Sequence, residues 1–264
     1  MSGKLTFLTP ATGNYVHFIR PFVYFAEISN PGCQFIFFVE DPDDPTLLRK
    51  SSIIYHKTSS NVHPKVNRWL PNIPIKEMTK YTYICDVDIL HTEEVMPFHV
   101  ERLKGKTFDN VERTDGMKRL TGLHFVRTKP WYKDTREARK LKNFTKEDLQ
   151  LKSLRDEQIL YRITKATYPD IEFEQGLENR PIHGIHCSIG RKNWMITYQQ
   201  LSYFKLAMKN APYFGEWFEE NVVNRILNQD KYYIRPTDWK RTEDSNEVSN
   251  SSRQKVQADV GQTD

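Results

Sequence analysis

Short apolar runs alternate with amphipathic stretches along most of the chain. The compact runs are rich in β-branched and aromatic residues, and polar or turn-forming residues follow each of them. They lie at 4–8, 33–39, 52–56, 81–85 and 120–126. Residues 15–28 and 147–165 instead repeat apolar residues at helical spacing. Strands that alternate with helices predict an α/β domain with a mixed, largely parallel sheet flanked by helices.

Local signals refine these elements. We expect Asn14 to cap the first helix and Pro21 to kink it. A short helix is predicted for 66–70, and Thr92 is expected to open another helix. The segment 182–190 is punctuated by Gly and His, which predicts a loop.

The chain divides into three regions by composition. Residues 1–195 form the predicted α/β domain, and the amphipathic, aromatic segment 196–240 is expected to be a helical extension packed on that domain. Residues 241–264 have no aromatics and few apolar residues, so we expect a disordered tail.

Charge indicates the kind of partner. The 264 residues carry a formal charge of +5, and 101–146 holds 14 Lys and Arg against 6 Asp and Glu. Such a stretch favours a phosphate-bearing substrate, an acidic glycan, a membrane surface or nucleic acid, unless it is simply a solvated basic face. The nucleic-acid alternative has no zinc-finger spacing and no RNP-like aromatic motif, so we expect no nucleic-acid partner.

Cysteine usage and hydropathy indicate the compartment. The chain has three cysteines, and so odd and sparse a count argues against a disulfide framework and is typical of a reducing environment. No run of 18 apolar residues occurs, and the first residues lack a signal-peptide pattern. We therefore expect a cytoplasmic protein without a transmembrane segment, and a peripheral contact with a membrane stays open.

An acidic pair follows one predicted strand. Asp86 and Asp88 come directly after the run 81–85, and ligands of open α/β sheets gather beyond the carboxyl ends of strands. Carboxylates at i and i+2 point to the same side of an extended chain, where they repel unless a cation lies between them. Mn²⁺ or Mg²⁺ suits such oxygen ligands and also binds diphosphates. The plainer alternative is an aspartate pair in a turn.

A second polar cluster lies near residue 190. His186 is a suitable ligand for a borderline cation such as Mn²⁺, Gly190 permits close approach of a phosphate, and Lys192 adds positive charge. A zinc site is disfavoured because no fourth soft ligand lies at useful spacing. The segment thus suits a lid over a metal-bound diphosphate, or a polar surface loop.

In order and spacing, five pieces of the chain resemble motifs of glycosyltransferase family 8, over roughly residues 5–195. The stretch around Asn14 and Tyr15 is similar to the family's first strand and its base-contacting Asn-Tyr, with Thr12 where the family often has Asp. Arg68 is similar to an arginine that contacts donor groups. The run 86–90 is similar to the family's D-x-D-I-L metal motif.

The other two pieces lie later in the chain. The run 156–160 looks like the family's D-Q-D-I-L helix, whose first two residues flank the donor sugar, with Glu157 in place of Gln. His186, Lys192 and Trp194 stand at the offsets of H-x-x-G-x-x-K-P-W, with Gly190 one position late.

This resemblance implies a GT-A fold, a Rossmann-type architecture, with residues 1–195 as the catalytic domain. It implies retaining transfer of a hexose from a nucleotide diphosphate sugar, expected to be a UDP-sugar, to a glycan or other hydroxyl acceptor. Asp86, Asp88 and His186 would hold Mn²⁺ or Mg²⁺, and Asp156 and Glu157 would be catalytic. The implied nucleotide-sugar contacts are Thr9, Ala11, Asn14, Tyr15, Arg68, Asp86, Val87, Gly190 and Lys192.

Acceptor contacts and competing functions complete the predictions. Aromatic faces stack on sugar rings, so we name His124, Trp131 and Tyr132 as candidate acceptor contacts, with core packing as the alternative. A metal-dependent nucleotidyltransferase or phosphate-ester hydrolase would use the same metal ligands but would not need Asn14 and Tyr15.

Overall fold

The structure of the chain is a computed structural model. Its described residues are 5–59, 63–69, 74–113, 116–140, 155–176, 183–187, 195–196, 198–227 and 233–234. They form an α/β fold around a six-stranded sheet, as the sequence predicts. Within these residues, no helix is both long enough and apolar enough to cross a membrane.

The central sheet has the order β3-β2-β1-β4-β8-β6. Its first four members pair in parallel, and β8 and β6 add antiparallel pairings at one side. These strands are β1 (Leu5–Pro10), β2 (Gln34–Val39), β3 (Ile53–Lys57), β4 (Tyr81–Ile84), β6 (Phe108–Asp109) and β8 (His124–Arg127).

Smaller ladders surround this sheet. They pair β5 with β10, β7 with β9, and β11 with β12. Their bounds are β5 (Ile89–His91), β7 (Glu112–Arg113), β9 (Gln175–Gly176), β10 (Gly184–His186), β11 (Met195–Ile196) and β12 (Tyr233–Ile234).

Helices cover both faces of the sheet. They are α1 (Ile19–Ser29), α2 (Met96–Leu103), α3 (Thr128–Asp134), α4 (Asp156–Thr167), α5 (Tyr198–Lys209), α6 (Glu216–Phe218) and α7 (Asn224–Leu227). A π-helical turn, Glu219–Val223, joins the last two. Short 3₁₀ helices lie at Gly13–Phe18, Pro64–Trp69, Ile75–Glu77 and Ala138–Lys140.

Alternation along the strands creates two hydrophobic cores. Phe35 and Phe37 of β2 belong to the core beneath α1, whereas Ile36 belongs to the core beneath α3 and α4. Successive strand residues face opposite sides, so a continuous apolar run fills both cores. This is why the central runs lack a polar face.

The C-terminal helices pack on the first core. Phe204 of α5 stacks on Phe25 of α1 with ring centroids 5.5 Å apart, and Phe218 contacts Phe18 edge-on at 5.7 Å. The bounds 196–240 of the helical extension remain a prediction. The predicted tail 241–264 lies outside the described residues.

Several local predictions were wrong in detail. The first helical turn is 3₁₀ and is preceded by Thr12, so Asn14 is not its N-cap. Pro21 lies in the first turn of α1, where a missing N–H costs least. The helix after Thr92 begins only at Met96, and the run 120–126 becomes a strand only from His124.

The predicted loop 182–190 was also wrong in part. Gly184–His186 is a strand that pairs antiparallel with Ile89–His91. A run of three residues that begins with Gly and ends with His has no periodicity of its own, and tertiary pairing decides its conformation.

Candidate functional site

A cleft of about 1050 Å³ lies at the carboxyl ends of the parallel strands. Pro10 at the end of β1, Glu40 after β2 and Asp86 after β4 all line it, together with the first residues of α4. This is the edge of an open α/β sheet where ligands bind. The cleft contains most of the described candidate residues.

Asp86, Asp88 and His186 meet in this cleft. One ligand atom from each lies within 4.8 Å of the other two. Asp86 is partly exposed, whereas Asp88 is buried with its Oδ2 atom 3.2 Å from Nε2 of His186. The sequence prediction that these three residues come together is consistent with this geometry.

The pairing of β5 with β10 delivers His186. In this register His186 stands opposite Ile89, the neighbour of Asp88, and the Cys187 N–H donates to the Asp88 carbonyl at 2.7 Å. Gly184 is required for so close an approach, because a Cβ there would overlap the Leu90 carbonyl oxygen. Backbone pairing therefore positions the third candidate ligand.

The donor set fits a divalent cation. Asp88 Oδ1 is buried and has no hydrogen-bond partner among the described residues. A buried carboxylate oxygen without a partner is costly, and a bound cation would remove that cost. Two carboxylates and one imidazole suit Mn²⁺, and Mg²⁺ is the alternative when water completes the shell.

Arg68 links the candidate metal ligands to α4. Its buried guanidinium donates from Nη1 to Asp86 Oδ1 at 2.8 Å and to the Cys85 carbonyl at 3.0 Å, and from Nη2 to Asp156. Burial lowers the pKa of Arg68, but the charges of Asp86 and Asp156 outweigh this and raise it. The arginine is therefore always charged, and it holds both carboxylates in fixed positions.

Asp156 and Glu157 open helix α4 at the cleft. An acidic first turn is favourable there because it faces the positive end of the helix dipole. Glu157 accepts from Arg113 Nη2 at 2.7 Å through Oε1 and from Arg119 Nη1 through Oε2. Both of its carboxylate oxygens are thus engaged by arginine.

The predicted nucleotide contacts are distributed unevenly. Asn14 and Tyr15 line the cleft from the 3₁₀ helix that begins at Gly13, and Gly13 has the positive φ of 55° that glycine favours. Val87 and Arg68 also line it, whereas Thr9 and Ala11 are buried and are not part of its lining. Gly190, Lys192 and Trp194 lie outside the described residues.

The candidate acceptor residues do not reach the cleft. His124, Trp131 and Tyr132 are buried in the second core, and the His124 and Trp131 rings pack edge-on at 4.5 Å. Burial lowers the pKa of His124 to about 3. All three side chains therefore take part in core packing, and their burial contradicts the predicted role as acceptor contacts.

Several cleft residues were missed in the sequence. Arg113 and Arg119 lie in the basic stretch 101–146, where composition alone suggests a solvated face. Lys65 and Arg155 line the cleft as well, next to residues that were recognised. For Lys65 and Arg155, closeness in sequence to Arg68 and Asp156 was the one available signal. No local pattern identifies Arg113 and Arg119.

No protein-family model and no curated protein matches the chain. Among solved structures, apo glycosyltransferase GlyE of Streptococcus pneumoniae TIGR4 is similar, with TM-score 0.42 and 13% identity over 65% of this chain and 44% of that chain. The galactosyltransferase LgtC in complex with donor and acceptor sugar analogues has a TM-score of 0.43 and 12% identity, over 98% of this chain and 97% of that chain. A 4-diphosphocytidyl-2C-methyl-D-erythritol synthase of Anaerococcus prevotii DSM 20548 has a TM-score of 0.44 and 9% identity, over 70% of this chain and 93% of that chain. The chain spans less than half of that GlyE chain, and likenesses this distant leave the functional argument to the site geometry.

Proposed function

We propose that this chain is a metal-dependent glycosyltransferase that moves a hexose from a UDP-sugar to a hydroxyl of a glycan or other acceptor. The observation that carries the proposal is the meeting of Asp86, Asp88 and His186 in a cleft where Arg68 also holds Asp156. A cation site beside a fixed carboxylate suits departure of a diphosphate from a sugar.

The nucleotide would occupy the side of the cleft formed by Asn14 and Tyr15. Their place after β1, at the carboxyl edge of the sheet, supports this assignment. The tyrosine ring offers a face for stacking, and the asparagine amide offers both a donor and an acceptor for a base edge. The base itself stays part of the proposal.

Asp86, Asp88 and His186 would hold the cation. When bound, Mn²⁺ or Mg²⁺ supplies Lewis-acid stabilisation of the negative charge on the diphosphate. We assign Lys192 and the backbone near Gly190 to the same diphosphate, on the strength of their sequence positions alone.

Asp156 is the proposed catalytic carboxylate. Arg68 fixes its orientation, and its side chain is 14% exposed at the cleft wall. An ionised carboxylate beside the anomeric carbon stabilises an oxocarbenium-like transition state. Glu157 has both oxygens engaged by arginine, so we assign it a positioning role.

We further propose that the transfer retains the configuration of the anomeric carbon and that the protein acts in the cytoplasm. The stereochemistry follows from the motif resemblance. The compartment is supported by Cys33, Cys85 and Cys187, which are all free and buried and so suit a reducing environment.

A thermal-shift panel of nucleotide sugars, with and without Mn²⁺, tests the proposal. We expect UDP-sugars to raise the melting temperature only with the metal, and product NMR should then show the sugar attached to the acceptor with retained configuration. With UTP and a sugar phosphate supplied instead, release of pyrophosphate would indicate a nucleotidyltransferase. Formation of UMP and free sugar phosphate from the nucleotide sugar would indicate a hydrolase. Stabilisation that is equal with EDTA would contradict the metal site.

A further inference from the structure

Glu40 lines the cleft two strands away from the candidate cation site. It follows β2, and the sheet order places β1 between β2 and β4, the strand that precedes Asp86. Neighbouring strands are about 4.8 Å apart, so the ends of β2 and β4 are separated by about 10 Å. The cleft crosses all three strand ends, since Glu40, Pro10 and Asp86 line it. A ligand held at Asp86 therefore reaches Glu40 only if it is extended.

Hydrogen bonds on both sides of β2 hold the backbone that presents Glu40. The Ala11 N–H donates to the Phe38 carbonyl at 2.9 Å, and the Thr58 N–H donates to the Val39 carbonyl at 2.8 Å. The strand is thus fixed up to the residue before Glu40. Glu40 itself is exposed, so its carboxylate extends from a fixed backbone into an open part of the cleft.

The carboxylate of Glu40 differs from the others in the cleft. Each of the others lies against an arginine or a histidine, and they are Asp86, Asp88, Asp156 and Glu157. Within the described part of the chain, the Glu40 side chain has no hydrogen-bond or ion-pair partner. Both of its oxygens can therefore accept hydrogen bonds from a ligand. Its charge repels phosphate, so the end of a nucleotide that reaches Glu40 must be uncharged and must carry donors.

We propose that Glu40 accepts hydrogen bonds from the 2′- and 3′-hydroxyls of the donor's ribose, so that the donor is a ribonucleoside diphosphate sugar. This inference rests on the proposed function and specifies its nucleoside. With the diphosphate at the cation site and the base beside Asn14 and Tyr15, the ribose lies between them and its diol can face Glu40. Two neighbouring hydroxyls match the two oxygens of one carboxylate. An acidic side chain accepts from a ribose hydroxyl in the same way in α/β folds that bind dinucleotides.

Calorimetric titration with UDP, 2′-deoxy-UDP and 3′-deoxy-UDP, each with Mn²⁺, tests this inference. We expect wild-type protein to bind UDP about tenfold tighter than either deoxy form, because each deoxy form lacks one hydrogen bond to a charged group. Glu40→Ala should bind UDP about as weakly as the deoxy forms and should no longer discriminate among the three. Asp43→Ala is the matched control, since Asp43 is an exposed acidic residue close to Glu40 in sequence and outside the cleft lining. It should keep the preference of the wild type.

The outcomes are distinguishable. Equal affinity of the wild type for UDP and both deoxy forms overturns the ribose inference and leaves the proposed function standing. An equal loss for all three ligands in Glu40→Ala overturns it too, since the carboxylate would then contact another part of the nucleotide. Failure of the wild type to bind UDP overturns both proposals. The wild-type comparison needs no variant, so it decides even if Glu40→Ala folds poorly.

Discussion

The Nε2 atom of His186 lies 3.2 Å from the Oδ2 atom of Asp88. The three-residue strand Gly184–His186 sets this distance by pairing with Ile89–His91. The third candidate ligand therefore has the rigidity of a β-ladder, which a free loop would lack.

Gly184→Ala should disrupt the metal site from a distance. The added methyl group overlaps the Leu90 carbonyl oxygen, so β5 and β10 must separate and His186 must move away from Asp88. We expect the Mn²⁺-induced rise in melting temperature to be lost, together with about 1–3 kcal/mol of stability from the overpacked contact.

Gly122→Ala is the matched control for stability, because its methyl group meets nothing closer than 3.7 Å. Thermal and urea unfolding of both variants measure the difference. Retention of the full metal response in Gly184→Ala would argue against His186 as a ligand.

Asp88→Asn should abolish metal binding with little loss of fold. The substitution removes the charge of a buried carboxylate whose Oδ1 atom has no hydrogen-bond partner among the described residues. No hydrogen bond of this oxygen is lost in the metal-free protein, so its stability should change little. Titration calorimetry with Mn²⁺ should show no binding, and transfer activity should fall to background.

Asp43→Asn serves as the control for Asp88→Asn, since Asp43 is an exposed aspartate outside the cleft lining. Metal affinity that is equal in Asp88→Asn and wild type would exclude Asp88 from the site.

The sequence predicted the parts of the site that depend on local pattern. Asp86 and Asp88 follow a predicted strand, so their position at the sheet edge could be expected. Asp156 was expected inside a helix over 147–165, whereas it is the first residue of α4. The contact of Glu157 with Arg113 and Arg119 could not be expected, because backbone hydrogen bonds between residues distant in sequence bring them together. Charge patterning along a chain does not distinguish such an internal cluster from a solvated face.

Aromatic residues show the same limit of sequence analysis. His124 and Trp131 suit sugar stacking as well as core packing by residue type, and only the position of β8 inside the sheet decides between the two. His186 was a candidate ligand already from its residue type and its neighbours, but its strand pairing could not be predicted from so short a segment.

Arg68→Lys should destabilise the protein and slow transfer. Lysine cannot make the two-pronged contact with Asp86 and Asp156, so the buried cation keeps at most one of its two carboxylate partners. We expect a loss of about 3 kcal/mol in urea unfolding, typical of a broken buried ion pair. Arg20→Lys, at an exposed arginine, should change stability by less than about 0.5 kcal/mol. A loss equal to that control would show that the bridge contributes little.

Asp156→Asn should separate catalysis from binding. The amide keeps the shape of the side chain but removes the charge that would stabilise the transition state, so we expect kcat to fall at least about 100-fold. The affinity for UDP and Mn²⁺, measured by calorimetry, should change by less than about threefold. The opposite pattern, with affinity lost and kcat retained, would place Asp156 in the nucleotide site.

Stability should fall below pH 6.5 partly because of His124. Burial holds its pKa at about 3 in the folded chain, against about 6.5 when unfolded. Between these values the unfolded state binds the extra proton, so the free energy of unfolding falls as pH falls and is fully retained above pH 6.5. One such group contributes up to about 1.4 kcal/mol per pH unit. Urea unfolding of wild type and His124→Gln at pH 7.5, 5.5 and 4.5 should show a shallower slope in the variant, and identical slopes would contradict this.

During synthesis, the strands that present Asp86 and Asp88 leave the ribosome well before the segment that contains Gly184–His186. The nascent protein can therefore build its central sheet before the proposed cation site is complete. High affinity for a cation would arise only when β10 docks on β5, so metal uptake would report the pairing of these two strands.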